Sequence, residues 1–166
     1  KADGLIPAML TGDAAGSANA VARTVGIAEA NVHAQLLPED KLNALKEIRK
    51  QNGAVMFVGD GINDAPVLAG ADVGAAMGSG ADAAIEAADV VFMNSSVSAI
   101  PQAIKIARAT GRISMQNVIF ALAVKLLVLV LGFVGFANIW AAVFADTGVA
   151  MLCILNSMRI LLKKFK

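Results

Sequence analysis

The sequence predicts a molecule in two parts. Residues 1–110 read as an α/β unit built on a Rossmannoid parallel sheet, and residues 111–166 as an α-helical transmembrane hairpin. Three observations carry this. Short apolar runs that stop at Gly, Thr or Asp alternate with helical stretches through the first part. Charged residues are frequent and mixed there, whereas between residues 113 and 158 only Lys125 and Asp146 are charged. The 166 residues are 57% hydrophobic, with a mean hydropathy of +0.67, and the excess lies in the second part.

Taken in order, IPAML reads as a strand that ends at TGD, with AAGSANAVARTVG as the helix after it. VHAQL reads as the second strand. In PEDKLNALKEIRKQ, Pro38 fits the first helical turn, where its missing N–H costs nothing, and Leu42, Leu45 and Ile48 share a face. AVMFV is a buried-strand run that stops at GDGINDAP. DVGAAM and DVVFM follow, separated by the helical GADAAIEAA. In parallel sheets ligands bind at the carboxyl ends of the strands, and Thr11, Asp13, Asp60, Asn63 and Asp64 stand at those ends.

In the second part, residues 117–136 and 139–161 each approach the ~20 residues that cross ~30 Å of hydrocarbon. GFANIW between them permits only a tight turn, and Trp140 suits the interface. Lys105, Arg108 and Arg112 precede the first span, and RILLKKFK closes the second. The positive-inside rule therefore puts both ends, and the α/β unit, in the cytoplasm. Lys125 stands deep in its span, where a lysine costs about 2.5–3.5 kcal/mol on insertion scales. A net charge of +1 with no basic run before the last residues argues against a nucleic-acid partner. The single Cys153 excludes an internal disulfide and a cysteine-based metal motif. No signal peptide is expected from the first residues.

VGDGINDAP places Asp60 and Asp64 on one loop. Two carboxylates and an amide make an oxygen-rich corner suited to Mg²⁺; the same spacing also suits a turn in which Asp64 caps the next helix. MLTGD repeats the pattern, with Thr11 and the following helix amides able to hold a phosphoryl oxygen or simply to cap. Lys41 stands in the first turn of its helix, where a cation opposes the macrodipole, and Glu39 and Asp40 offer to neutralise it. Hydroxyl, lysine and paired aspartates in that order form a phosphoryl-transfer constellation that lacks its nucleophile.

MLTGD, LLPEDK, VGDGINDAP and ADVGAAMGSGADAAIEAADVVFM resemble the phosphorylation domain of the heavy-metal P-type ATPases. The resemblance implies a haloacid-dehalogenase-like fold. It implies that Thr11 binds the phosphoryl group, with Gly12 and Asp13 in the neighbourhood of phosphate and ATP, and that Lys41 stabilises the phosphoryl charge. It also implies Asp60 as a Mg²⁺ ligand, with Asn63 and Asp64 completing that corner. Ala14 departs from the asparagine that many members carry after TGD.

Lys125, together with Asp146, Thr147 and Gly148, resembles the zinc, cadmium and lead exporters of that branch. Asp146 would hold the transported ion, and Lys125 would become its counter-ion once the ion leaves. Met151 and Cys153 read as packing residues. The family's DKTG nucleophile motif and CPC-like membrane motif do not occur here. The resemblance therefore implies the second half of a phosphorylation domain and the last two membrane helices of an ATP-driven pump in the plasma or inner membrane. Its partners would be that pump's nucleotide-binding domain, actuator domain and other transmembrane helices, and the lipid itself. The alternatives are a membrane-anchored haloacid-dehalogenase-type phosphatase, although KADGLIP offers no D-x-D nucleophile, or a non-catalytic fragment.

Overall fold

The structure, a computed structural model, describes residues 4–94, 96–136 and 138–163. It divides into two compact units, Lys1–Ser96 and Val97–Lys166. In the first unit each apolar run becomes a strand: β1 (Met9–Leu10), β2 (Val32–His33), β3 (Met56–Gly59), β4 (Val73–Met77) and β5 (Val90–Phe92). Helices α1 (Ala15–Val25), α2 (Pro38–Asn52), α3 (Ala65–Gly70) and α4 (Asp82–Glu86) lie between them. All strand pairing is parallel, as βαβ connections require.

The expected single sheet is instead two ladders among the described residues. β1 pairs β2 with Met9 opposite Val32, and β3, β4 and β5 pair in that order with Met56 opposite Val73 and Ala75 opposite Val90. Aspartates pin the register where strands begin. Asp72 accepts the Val55 N–H at 2.9 Å and pairs with Arg49 at 2.6 Å, while Asp89 accepts the Gly74 N–H at 2.8 Å.

One core joins the two ladders. Leu45 of α2, Phe57 of β3, Val67 and Leu68 of α3, and Ala84 of α4 are buried together, and Leu10 of β1 and Leu42 of α2 pack against them. Leu45, Val67 and Leu68 are the largest fully buried side chains, each worth about 1.5–3 kcal/mol by transfer from water. This core sets the strand ends, and with them the loops that carry the polar residues.

The second unit begins with α5 (Ala99–Phe133), a helix of 35 residues and about 52 Å. It absorbs both the basic stretch from Lys105 to Arg112 and the first apolar span. The boundary between units thus falls at 96/97, ahead of the change in composition near residue 110, because nothing in the helix breaks it there. Pro101 sits in the first turn, where its missing N–H is tolerated. Among the described residues α5 is the helix long and apolar enough to cross a membrane. After a turn containing Gly135 at φ 82°, the chain returns through α6 (Ile139–Val143), a π-helical segment (Phe144–Gly148) and α7 (Val149–Met158). The predicted second span is therefore helical but interrupted by a wide turn, and its helix stops at Met158.

Candidate functional site

The β1 loop closes on itself and on the loop after β2. The Thr11 N–H donates to the His33 carbonyl at 2.9 Å, the Leu36 N–H to the Thr11 carbonyl at 3.0 Å, and the Gln35 N–H to the Asp13 carbonyl at 2.9 Å. Thr11 Oγ1 accepts the Asp13 N–H at 3.1 Å, which leaves the hydroxyl proton available to a ligand. Thr11 is half-buried, and Gly12 and Asp13 are exposed.

The Leu36 bond brings the start of α2 beside this loop. Asp40 accepts the Leu37 N–H at 3.2 Å, so its carboxylate serves the helix start and is not the partner of Lys41. Lys41 reaches 23 residues along the chain to Asp64, Nζ to Oδ1 at 2.8 Å, with only 16% and 13% of the two side chains exposed. Asp64 Oδ2 also accepts the Gly61 N–H at 3.3 Å. The cap expected of Asp64 exists, but it serves the 3₁₀ turn Ile62–Asp64, and no side-chain bond caps α3.

Gly59 makes this fold-back possible. A Cβ there would stand 2.8 Å from Asp64 Cβ and 3.0 Å from its Oδ2. A buried ion pair is a poor stabilising device, since desolvation offsets most of its attraction. What the pair does here is fix the Lys41 ammonium in one place at the strand edge.

Asp60, next to this pair in sequence, is exposed, and among the described residues nothing hydrogen-bonds its carboxylate. Its carbonyl is held by the Ala81 N–H at 2.8 Å. The loop after β4 therefore supports the Asp60 loop, a role the sequence reading missed although MGSG ends its strand as TGD and GDG end theirs. Asn63 is exposed on the same turn. The described residues contain no gathering of three or more His, Cys, Asp or Glu side chains. A corner with one open carboxylate and nearby amide oxygen fits Mg²⁺, which completes its shell with water and phosphate oxygens. No side-chain bond joins Thr11 or Asp13 to Asp60 or Asp64; the shared core and the α2 start hold the two loops in one unit.

In the second unit, Lys125 Nζ of α5 meets Asp146 Oδ1 at 2.9 Å. The ammonium carried by an apolar helix is thereby matched with the other charge of residues 113–158. More than half of each side chain stays accessible in this chain, 57% and 73%, which leaves Asp146 room for a further ligand.

Asp146 lies within the π segment, and wide turns of this kind occur frequently at functional sites. Gly148 closes the segment under the Phe144 ring, where a Cβ would come within 2.7 Å of Cδ2. Neither the π turn nor a cluster of Asn117, Asn156 and Ser157 between α5 and α7 was foreseen. The signal for the cluster was present, as amides within apolar spans.

A family model for haloacid dehalogenase-like hydrolases matches residues 1–72. The chain is 49% identical over 163 residues to the cadmium, zinc and cobalt-transporting ATPase of Bacillus subtilis (strain 168), covering 96% of this chain and 23% of that protein. It is 52% identical over 155 residues to the zinc-transporting ATPase of a Synechocystis species, covering 92% of this chain and 21% of that one. Among solved structures, a zinc-transporting PIB-type ATPase in its E2.Pi state matches 93% of this chain and 25% of its own, with a TM-score of 0.87 and 41% identity. The chain thus spans between a fifth and a quarter of the length of these relatives. On identities of this size along nearly its whole length, and on a fold shared with a solved pump, the chain belongs to the heavy-metal-transporting P-type ATPase family.

Proposed function

We propose that this chain supplies the phosphate-handling corner and the ion-release helices of an ATP-driven pump that exports divalent heavy metals through an aspartyl-phosphate intermediate. Zinc and cadmium, named for its relatives, are the expected ions, with lead in the same chemical class. The rest of the pump, with its nucleotide-binding and actuator domains and further transmembrane helices, provides the phosphorylated aspartate and the remaining ion ligands. The protein sits in the plasma or inner membrane with several passes and its α/β unit in the cytoplasm. The observation that carries this reading is the Lys125–Asp146 pair, two opposite charges 2.9 Å apart on otherwise apolar helices.

The residues divide the work. The Thr11 hydroxyl and the amides at the start of α1 receive a phosphoryl oxygen, with Gly12 and Asp13 beside the nucleotide. Lys41, oriented by Asp64, places its ammonium against the phosphoryl charge. Asp60 holds Mg²⁺, with Asn63 and Asp64 around it, and the ion when bound neutralises charge on the transferring group.

In the membrane, Asp146 offers a carboxylate oxygen to the divalent ion as one ligand among several. When the ion leaves, the Lys125 ammonium takes its place. The carboxylate is never left uncompensated at low dielectric, and the departed ion meets a site already filled. A membrane-anchored phosphatase is not favoured, because the matched relatives are transporting ATPases.

A double-mutant cycle on zinc-stimulated ATP hydrolysis by the intact pump tests this. Asp146→Ala should lose metal-stimulated turnover, Lys125→Ala should alter ion release or basal turnover, and the two effects should be non-additive. Normal zinc transport by Asp146→Ala, or independence of the two substitutions, would overturn the reading.

A further inference from the structure

α5 and α7 meet at a second polar contact that the pump reading leaves unused. Asn117 Nδ2 donates to the Cys153 carbonyl oxygen at 3.1 Å and to Ser157 Oγ at 2.9 Å. Asn117 Oδ1 accepts from Asn156 Nδ2 at 2.8 Å, and Asn156 Oδ1 accepts from Arg159 Nη1 at 2.9 Å. The Cys153 thiol donates to the Asn117 carbonyl oxygen at 3.7 Å. Both N–H groups and the oxygen of one amide are thus committed to a single partner helix. At the basic end of the hairpin these groups are committed to one another across two helices, and their pairing selects one alignment of the two.

The spacing links this contact to the ion pair. Lys125 lies eight residues beyond Asn117, about 12 Å along α5. Asp146 lies seven residues before Cys153 and ten before Asn156, about 10–15 Å back along the antiparallel return. The two polar levels are therefore separated by the same distance on both helices. A slide of one helical turn, about 5.4 Å, would break both at once.

We propose that Asn117 is a positioning residue: its amide lock with Asn156, Cys153 and Ser157 sets the register of α5 on α7 and so holds the Lys125 ammonium at the depth of Asp146. The proposal rests on the reading of Lys125 and Asp146 as the ion-release pair. It assigns Asn117 no contact with the ion. The lock works two turns away, by allowing a single depth for the lysine.

The test uses the intact pump and its zinc-stimulated ATP hydrolysis. Asn117→Ala should lower turnover by about three- to fifteen-fold, the range for losing interhelical hydrogen bonds in a membrane, with the KM for ATP unchanged. In a Lys125→Ala background the same substitution should have no further effect, because no ammonium remains to be positioned. A residue needed only for folding would lower activity in both backgrounds. If Asn117→Ala does not accumulate in the membrane, Asn156→Ala carries the same comparison, since it leaves both Asn117 N–H bonds in place. Full turnover in both asparagine variants, or an equal loss with and without Lys125, overturns the lock. Unaltered turnover and ion release in Lys125→Ala alone would instead overturn the ion-pair reading beneath it.

Discussion

Lys41 has acidic neighbours at Glu39 and Asp40 in its own helical turn, yet it bonds to Asp64, brought from another loop by the packing of α2 on α3. With both side chains largely withdrawn from water, Asp64→Ala leaves an uncompensated ammonium. It should destabilise the unit by about 3 kcal/mol, the lower end for breaking a buried pair. Replacing both partners, Lys41→Met with Asp64→Leu, should recover most of that loss, because the desolvation penalty disappears with the charges. Phosphoenzyme formation should not return. Thermal inactivation and labelled-phosphate incorporation in the intact pump read the two effects separately, and a double variant as unstable as Asp64→Ala would refute the pairing. At this scale the chemistry was legible, since the runs IPAML and AVMFV lead straight into Thr11 and Asp13 and into Asp60 and Asp64. Which residues paired was not, because a carboxylate 23 positions away looks no different in sequence from one at the next residue.

Among the elements, the strands and helices followed periodicity closely, while the π segment did not announce itself. The residues FADTG satisfy a helical pattern, and only the structure shows the widened turn with the Phe144 ring lying over Gly148. Gly148→Ala would put a Cβ 2.7 Å from that ring, so the turn must repack and carry Asp146 with it. Overpacking of this kind costs about 1–3 kcal/mol, enough to lower metal-stimulated turnover roughly ten-fold if the strain falls on the working geometry. Phe144→Ala in the same protein should restore most of the activity by removing the clashing ring. A Gly148→Ala pump with normal turnover would detach the wide turn from function. The length of α5 was also misjudged. Composition changes near residue 110, but polarity alone does not stop a helix, and Gly111 at that point costs only about 1 kcal/mol and is carried through.

For the whole molecule the remaining question is orientation. In the orientation we propose, Lys105, Arg108 and Arg112 near one end of the hairpin and Arg159 and Lys163 near the other put both ends on the cytoplasmic side by the positive-inside rule. The turn holding Phe136, which is 81% exposed, then faces outward. A Phe136→Cys pump in a Cys153→Ala background should react with an impermeant thiol reagent added outside sealed cells. Protection there, with reaction only from the inside, would invert the topology.

From the sequence alone came the order of strands and helices, the parallel pairing, the polar strand ends and the two charges within apolar spans. Each is a local pattern of polarity and periodicity, which a chain carries before it folds. Tertiary structure decided the contacts between distant residues. It drew Lys41 to Asp64 away from its acidic neighbours, set Lys125 at the level of Asp146, and spread the strands over two ladders joined by Leu10 and Phe57 in one core. Such contacts depend on which surfaces can be buried together, and packing density is a property of the folded chain in three dimensions.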